Sequence, residues 1–539
     1  MKLNILNFID FYKADHRRQY PEGTELVYSN FTPRSDRLYG GTKFFDGKVV
    51  NVGVEGMCKW LLQEAFNEGF FCIPKEEAVR AYKRRMDNAL GPDAIPVDHI
   101  EALHDLGYLP LQVKALPEGA KSPMKVPVMT VCNTIPEFYW LVNYLETVMS
   151  NSLWKLMTTA TIASEYRAIL EHYYEKTGAP KELIEIACHD FSARGMCGAI
   201  DASVSGMGHL LSFSGTDTVS AIDYAENYYG ANSDEELVGC SVPATEHSVM
   251  CMGTKEDEVE TFRRLITDLY PSGIVSIVSD TWDFWKVITE YTMELKEEIL
   301  NRQPNALGLC KTVFRPDSGD PVKILTGYIK GSHPSNGDGE VYRNMGGKWF
   351  LADDWVSNEY DDYWLKSGAT EIKEHEVKGA VECLWDIFGG TKTDKGYKML
   401  NDKVGLIYGD SITRERAIAI LDRLEKKGFA ASNVVFGVGS YTYQYMTRDT
   451  LGFAMKATYG EVNGEPREIF KDPVTDSGTK KSAKGLMMVQ RDDQGEYFMV
   501  DSVDPISETM GELETVFLNG EVVRETPLSE IRKRVRGEL

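Results

Sequence analysis

Arg315-Pro316-Asp317-Ser318-Gly319 is the stretch whose side chains most directly suggest a reaction site. Arginine offers a planar fork to phosphate, and proline fixes the backbone. Serine and glycine leave N–H groups that an anion can approach closely. Asp317 suits a sugar hydroxyl or a metal-bound water. Alone, the stretch also reads as a turn that closes a strand. Gly215-Thr216-Asp217-Thr218 reads either as a helix cap or as a carboxylate at the bottom of a pocket. His247, behind Pro243 and Glu246, is a general base, a phosphate acceptor or a satisfied core histidine. Arg194, Arg448, Lys456 and Lys471 stand beside small or turn-forming residues. Tyr12 and Phe191 are candidates to stack on a flat ring, although most such residues belong to a core.

Most of these groups follow a short apolar run. Runs 184–187, 274–278, 312–314, 404–408 and 434–436 end in polar turns. The turns carry His189-Asp190-Phe191 with Arg194, Ser279-Asp280, the Arg315 stretch, Gly409-Asp410, and Gly437-Val438-Gly439-Ser440. Strand then helix repeats from about residue 184 to 442. That rhythm predicts a parallel sheet with right-handed crossovers, closed or nearly closed into a barrel. A barrel keeps its chemistry at the carboxyl ends of its strands. Thr254 and Asp257 predict a capping box before a helical face of Val259, Phe262, Leu265, Ile266 and Leu269. Residues 412–427 read as a charged helix ended by Gly428. Residues 329–395, rich in Gly, Asn, Asp and Trp, interrupt the rhythm as an insertion. The expected division is 1–155, a barrel over 156–445, and a C-terminal segment 446–539 that packs with the N-terminal region.

At 539 residues the chain exceeds one compact core. A net charge of −23 argues against nucleic acid as a partner, so a phosphorylated ligand needs a locally basic pocket. The nine cysteines form no CxxC pair and read as free thiols of a reducing compartment. No apolar run reaches membrane-spanning length and no secretion signal is evident, which predicts a cytoplasmic protein with no membrane partner. The GxxxxGK[ST] phosphate loop and the HExxH metal motif are both absent.

Together these strings resemble the nicotinamide phosphoribosyltransferase family nearly end to end. The resemblance runs from Asp10-Phe11-Tyr12-Lys13 through His189-Asp190-Phe191, Asp217, the stretch Ser241 to Ser248, and Arg315 to Gly319. It continues in Thr447-Arg448-Asp449 and Phe470-Lys471-Asp472-Pro473. It implies an α/β barrel of the type II phosphoribosyltransferase kind, with an α+β domain built from both chain ends. It implies attack of nicotinamide on 5-phosphoribosyl 1-pyrophosphate with Mg²⁺, in a homodimer with shared active sites. Phe191 and the partner chain's copy of Tyr12 would sandwich the pyridine ring, and Asp217 would accept from the carboxamide. Arg194 and Arg315 would hold the 5′-phosphate, with backbone N–H groups near Gly319, Gly409, Gly439 and Ser440. Asp280, Asp317 and Asp410 would meet the ribose, with Asp280 and Asp317 also the Mg²⁺ ligands. Arg34, Arg448, Lys456 and Lys471 would meet pyrophosphate or ATP. His247 would be phosphorylated by ATP and oriented by Glu246.

Nicotinate phosphoribosyltransferase is the nearest alternative, and Asp217 opposes it because an acid substrate would place like charges together. A non-enzymatic signalling role would not need so complete a set of site residues. A sugar-phosphate lyase would want a strand-end lysine, for which Lys311 is the one candidate.

Overall fold

A computed structural model describes residues 4–358, 362–409, 411–471 and 483–539. Six parallel strands form one sheet. They are β1 (Cys188–Asp190), β2 (Gly215–Thr216), β3 (Gly273–Val278), β4 (Cys310–Arg315), β5 (Val404–Tyr408) and β6 (Val434–Val438). Their spatial order is β2-β1-β6-β5-β4-β3. The two edge strands are bridged through segment 240–245. Cys240 pairs with Gly215, and Ala244 pairs with Ser276. Cys240 N–H donates to Ser214 O, and Thr245 N–H donates to Ser276 O. The sheet therefore curls into a ring, which satisfies edge groups that an open sheet would expose. β5 reads Val-Gly-Leu-Ile-Tyr and is buried throughout, as a parallel strand covered on both faces should be.

Two local expectations change. Residues 184–187 are not a strand; Lys181–Ile186 is a 3-10 helix entered from Pro180, and β1 begins at Cys188. Only Ile184 of that helix is buried, so its charged residues place it at the solvent-facing entry to the barrel. The capping box at Thr254 does not form. Thr254 takes a left-handed φ of 63°, and Asp257 precedes the helix Glu258–Arg264 without a side-chain cap bond.

The second sheet is antiparallel and takes strands from both chain ends. Its order is Glu465–Glu468, Ala454–Val462, Thr24–Thr32, Met129–Asn133, Leu111–Ala115, Glu514–Leu518, Glu521–Val522. Residues 329–395 hold two hairpins, Val341–Arg343 with Trp349–Leu351 and Trp355–Ser357 with Tyr363–Leu365, followed by the helices Glu374–Lys378 and Ala380–Phe388. Glu340 anchors this stretch to the barrel's outer helix Arg414–Lys426, accepting from Arg423 Nη1 at 2.9 Å and from Nη2 at 2.5 Å. Burial pushes the Glu340 carboxyl up, but hydrogen bonds from Arg423 and Lys323 outweigh it and hold the group at about 2.

Both chain ends meet at a buried pair of carboxylates. Glu118 accepts from Gly53 N–H at 2.7 Å and from Glu55 N–H at 2.8 Å. Glu55 accepts from Arg524 Nε at 2.7 Å and from Thr526 N–H at 2.6 Å. Burial, then the Glu55 charge, raises the Glu118 carboxyl to about 8. A raised acid contributes stability that is fully present below its unfolded value of 4.5 and is lost as pH rises through the folded value. The melting temperature should therefore fall between about pH 5 and pH 8, a loss on the order of 1–3 kcal/mol. Glu118→Gln should lower stability at pH 5 and flatten this slope, as read by calorimetry across that range. A slope unchanged by the substitution would assign the pH dependence elsewhere.

Candidate active site

A cavity of ≈ 700 Å³ runs through the barrel from the carboxyl ends of the strands to their amino ends, where Leu183, Lys311, Asn401 and Asn433 line it. Phe191, Asp217, Ser241 and Arg315 line it at the strand ends, and Val313, Leu406 and Val435 line it within the barrel. Phe191 follows β1, and its N–H donates to Val438 O at 3.0 Å. Its ring lies against Gly437, where a Cβ would stand 2.7 Å from Phe191 Cδ2. Glycine at 437 is thus the condition for the ring's seat. Asp217 follows β2, and its N–H donates to Asp190 O at 3.0 Å. Its Oδ1 accepts from Ser241 Oγ at 2.5 Å, leaving Oδ2 without a partner among the described residues. His189 lines the same cavity, and burial pulls its imidazole down to about 4 against the opposing charge of Asp217. A neutral His189 does not cancel the Asp217 charge near neutral pH.

A second group of residues suits phosphate and sugar. The Arg194 turn and the Gly439-Ser440 turn are in direct contact, since a Cβ at Gly195 would stand 2.2 Å from Ser440 Oγ. Gly409 is equally close to the Arg315 stretch; a Cβ there would lie 2.9 Å from Asp317 Oδ1 and 3.2 Å from Arg315 Cδ. Arg315 Nη2 donates to Thr245 O at 2.5 Å, while its buried Nε has no hydrogen-bond partner among the described residues. Gly319, at φ 91°, ends the stretch, and its carbonyl accepts from Tyr408 OH at 3.0 Å.

Asp280 and His247 stand with the second group, and neither lines the cavity. Asp280 Oδ2 accepts from Asp317 N–H at 2.9 Å and from Ser318 Oγ at 2.6 Å. Asp280 Oδ1 is buried without a hydrogen-bond partner among the described residues, a carboxylate oxygen that suits a ligand donor or cation. His247 begins the helix His247–Met252, and its side chain is 48% exposed. Its Nδ1 lies 3.2 Å from Thr281 Oγ1, and its Nε2 lies 3.9 Å from Asp280 Oδ1 and 3.8 Å from Asp317 Oδ2. Such a site can bind a phosphorylated sugar beneath a flat, uncharged ring.

Residues 186–521 match the model of the nicotinate phosphoribosyltransferase (NAPRTase) family. The chain belongs to this family. It is a phosphoribosyltransferase, with the barrel of the type II kind. A relative named nicotinamide phosphoribosyltransferase from Acinetobacter baylyi is 58% identical over 538 residues, covering 100% of this chain and 98% of its own. One of the same name from Mycoplasma pneumoniae is 32% identical, covering 88% of this chain and 93% of its own. Among solved structures, a nicotinate-nucleotide pyrophosphorylase from Pyrococcus furiosus aligns with a TM-score of 0.52 at 14% identity, over 99% of this chain and 95% of that one. The human nicotinic acid phosphoribosyltransferase aligns at 0.50 and 14%, over 98% and 92%. At such identity these two structures report the fold alone.

Other expected site residues lie apart from the cavity. Glu246 accepts from Ser248 Oγ, while His247 is approached by Thr281, Asp280 and Asp317. Tyr12 sits on the 3-10 helix Phe11–Asp15, 61% exposed, and is not among the cavity's lining residues. Arg34 donates through Nε to Gly452 O at 2.9 Å, beside the turn Arg448–Thr450. Lys456 is exposed on the strand Ala454–Val462, opposite Asn30. Arg448 and Lys471 are exposed as well. Asp410 lies outside the described residues. Sequence reasoning assigned no role to Thr281, Ser241, His189 or Asp190. Only the polar strand-end position of each could have signalled it.

Arg532, in the helix Leu528–Val535, was also missed. It is buried and donates to Leu210 O at 2.7 Å, to Leu237 O at 3.1 Å and to Val238 O. It thereby clamps, from the C-terminal segment, the chain that leads to Asp217 and the chain that leads to Ser241.

Proposed function

We propose that the chain makes nicotinamide mononucleotide and pyrophosphate from nicotinamide and 5-phosphoribosyl 1-pyrophosphate. The observation that carries this is the Asp217 carboxylate, oriented by Ser241 on the same cavity that the Phe191 ring lines. Its free oxygen suits an amide N–H donor and opposes a carboxylate. The relatives named nicotinamide phosphoribosyltransferase support the same reading.

The ring nitrogen attacks C1 of the ribose, the bond from C1 to the pyrophosphate oxygen breaks, and pyrophosphate leaves with the electron pair. Positive charge develops on the sugar and ends on the pyridinium. The protein's contribution is alignment and charge placement. Phe191 holds the ring plane, Asp217 its rotation, and Arg194 and Arg315 anchor the 5′-phosphate. Asp280 and Asp317 fit a magnesium ion that keeps water and substrate oxygens as its other ligands, and the unpartnered Asp280 Oδ1 is the feature that such an ion answers. Bound there, magnesium would neutralise pyrophosphate.

A homodimer would bring Tyr12 of the second copy over the ring. Tyr12, Tyr441 and Tyr445 are 61%, 62% and 80% exposed in the single chain, which such an interface would cover. ATP would phosphorylate His247 at its exposed ring. The phosphoryl group would add charge and hydrogen-bond acceptors beside the leaving group. With labelled nicotinamide, ribose donor and magnesium, ATP should accelerate mononucleotide formation by about tenfold or more. His247→Ala should lose that acceleration to a greater extent than it loses the basal rate. A variant still accelerated by ATP would remove His247 from this role. The rival base is tested in the same assay, where faster turnover of labelled nicotinate would reverse the assignment.

A further inference from the structure

We propose that Asp190 is the positioning residue that fixes the Phe191 ring and the Asp217 carboxylate relative to each other, and thereby sets the choice between a neutral and an anionic pyridine. The inference rests on the reading of Asp217 given above. Asp190 ends β1 and is 0% exposed. Its Oδ1 accepts from Ser192 N–H at 2.9 Å and from Ser192 Oγ at 2.5 Å. Its Oδ2 accepts from Thr218 Oγ1 at 2.7 Å, and its main-chain carbonyl accepts from Asp217 N–H at 3.0 Å. Phe191 lies between Asp190 and Ser192 in the chain, and Asp217 directly precedes Thr218. One buried carboxylate therefore ties together two turns that arrive from different strands.

Three features show that this tie is more than incidental packing. No Lys or Arg pairs with Asp190 among the described residues, so donors from those two turns are what satisfy its oxygens. Thr218 precedes the helix Val219–Tyr229, where a hydroxyl ordinarily caps the first turn, yet it makes no cap bond and turns to Asp190 instead. Gly206, in the helix Ala199–Leu210, backs the arrangement closely. A Cβ there would lie 2.7 Å from Ala221 Cβ, 3.1 Å from Thr218 Cγ2 and 3.3 Å from Asp190 Oδ2. The turns cannot relax toward that helix, so the angle between ring and carboxylate is held from behind.

Steady-state kinetics with both bases on the wild type, Thr218→Val and Thr218→Ser test this, with melting temperatures recorded alongside. Thr218→Val keeps the side-chain shape and removes the cross-tie. It should raise the nicotinamide KM about tenfold, equivalent to about 1.4 kcal/mol. It should lower the nicotinamide-to-nicotinate ratio of kcat/KM by a similar factor and leave the ribose-donor KM within about twofold. Thr218→Ser, which restores the hydroxyl, should recover the wild-type ratio. A ratio unchanged in Thr218→Val overturns the proposal. So does a parallel rise of both KM values with a lowered melting temperature. A wild type that prefers nicotinate overturns the reading of Asp217, and this inference with it. A wild type that prefers nicotinamide, with an indifferent Thr218→Val, overturns the brace alone.

Discussion

Asp217→Asn is expected to erase most of the discrimination between nicotinamide and nicotinate. In the wild type the acid would set its carboxylate against that of Asp217, whose one side-chain partner among the described residues is the Ser241 hydroxyl. His189 offers no relief, because burial keeps its ring neutral near pH 7. Asp217 is solvent-exposed in the single chain, so the contact counts fully only where the bound base covers it; a like-charge contact desolvated in that way corresponds to a preference on the order of 10³ in kcat/KM. Asparagine keeps the shape and the Ser241 bond, and its amide can turn to donate or to accept. The preference should fall to within about tenfold, chiefly through a gain for nicotinate. Competition of the two bases in one reaction reads the ratio directly. Retention of a hundredfold preference would place the discrimination in another residue.

Asp280→Asn is expected to damage the reaction itself and not the choice of base. The carboxylate has two duties: Oδ2 receives Asp317 N–H and Ser318 Oγ, and Oδ1 is buried and unpartnered 3.9 Å from His247 Nε2. An asparagine must point its NH₂ either at the Asp317 N–H, where two donors collide, or into the position that calls for a donor or cation. Either choice disturbs the Arg315 stretch or removes charge where pyrophosphate departs. A fall in kcat of about 10²–10³, or roughly 3–4 kcal/mol, is the expected scale for losing one preorganised electrostatic group. The nicotinamide KM should change little, and the magnesium concentration for half-maximal rate should rise. Activity within about fivefold of wild type would remove Asp280 from the centre of the site.

Much of this was legible before any coordinates. The apolar runs at 404–408 and 434–436 are β5 and β6 because β-branched and aliphatic residues in short bursts suit strands buried on both faces. The run at 184–187 misled because composition does not distinguish a strand from the turn that feeds it, and Pro180 decided in favour of the turn. Thr218 read naturally as a cap. Its hydroxyl instead donates to the Asp190 carboxyl group, which lies 28 positions earlier in the chain. Gly437 read as part of a glycine turn, and Gly195 drew no role. Their role in making room for the Phe191 ring and for Ser440 depends on neighbours brought in from other strands.

The apolar runs that form β5 and β6 and the polar turns behind them are properties of local chain chemistry, and the sequence by itself determined them. Which oxygen of Asp217 is left free, why Asp280 holds one idle oxygen, and how Arg532 reaches back to the barrel were decided only by the tertiary structure. Hydrogen-bond satisfaction in a buried site is settled by partners distant in the chain, and the ring of strands must close before they meet.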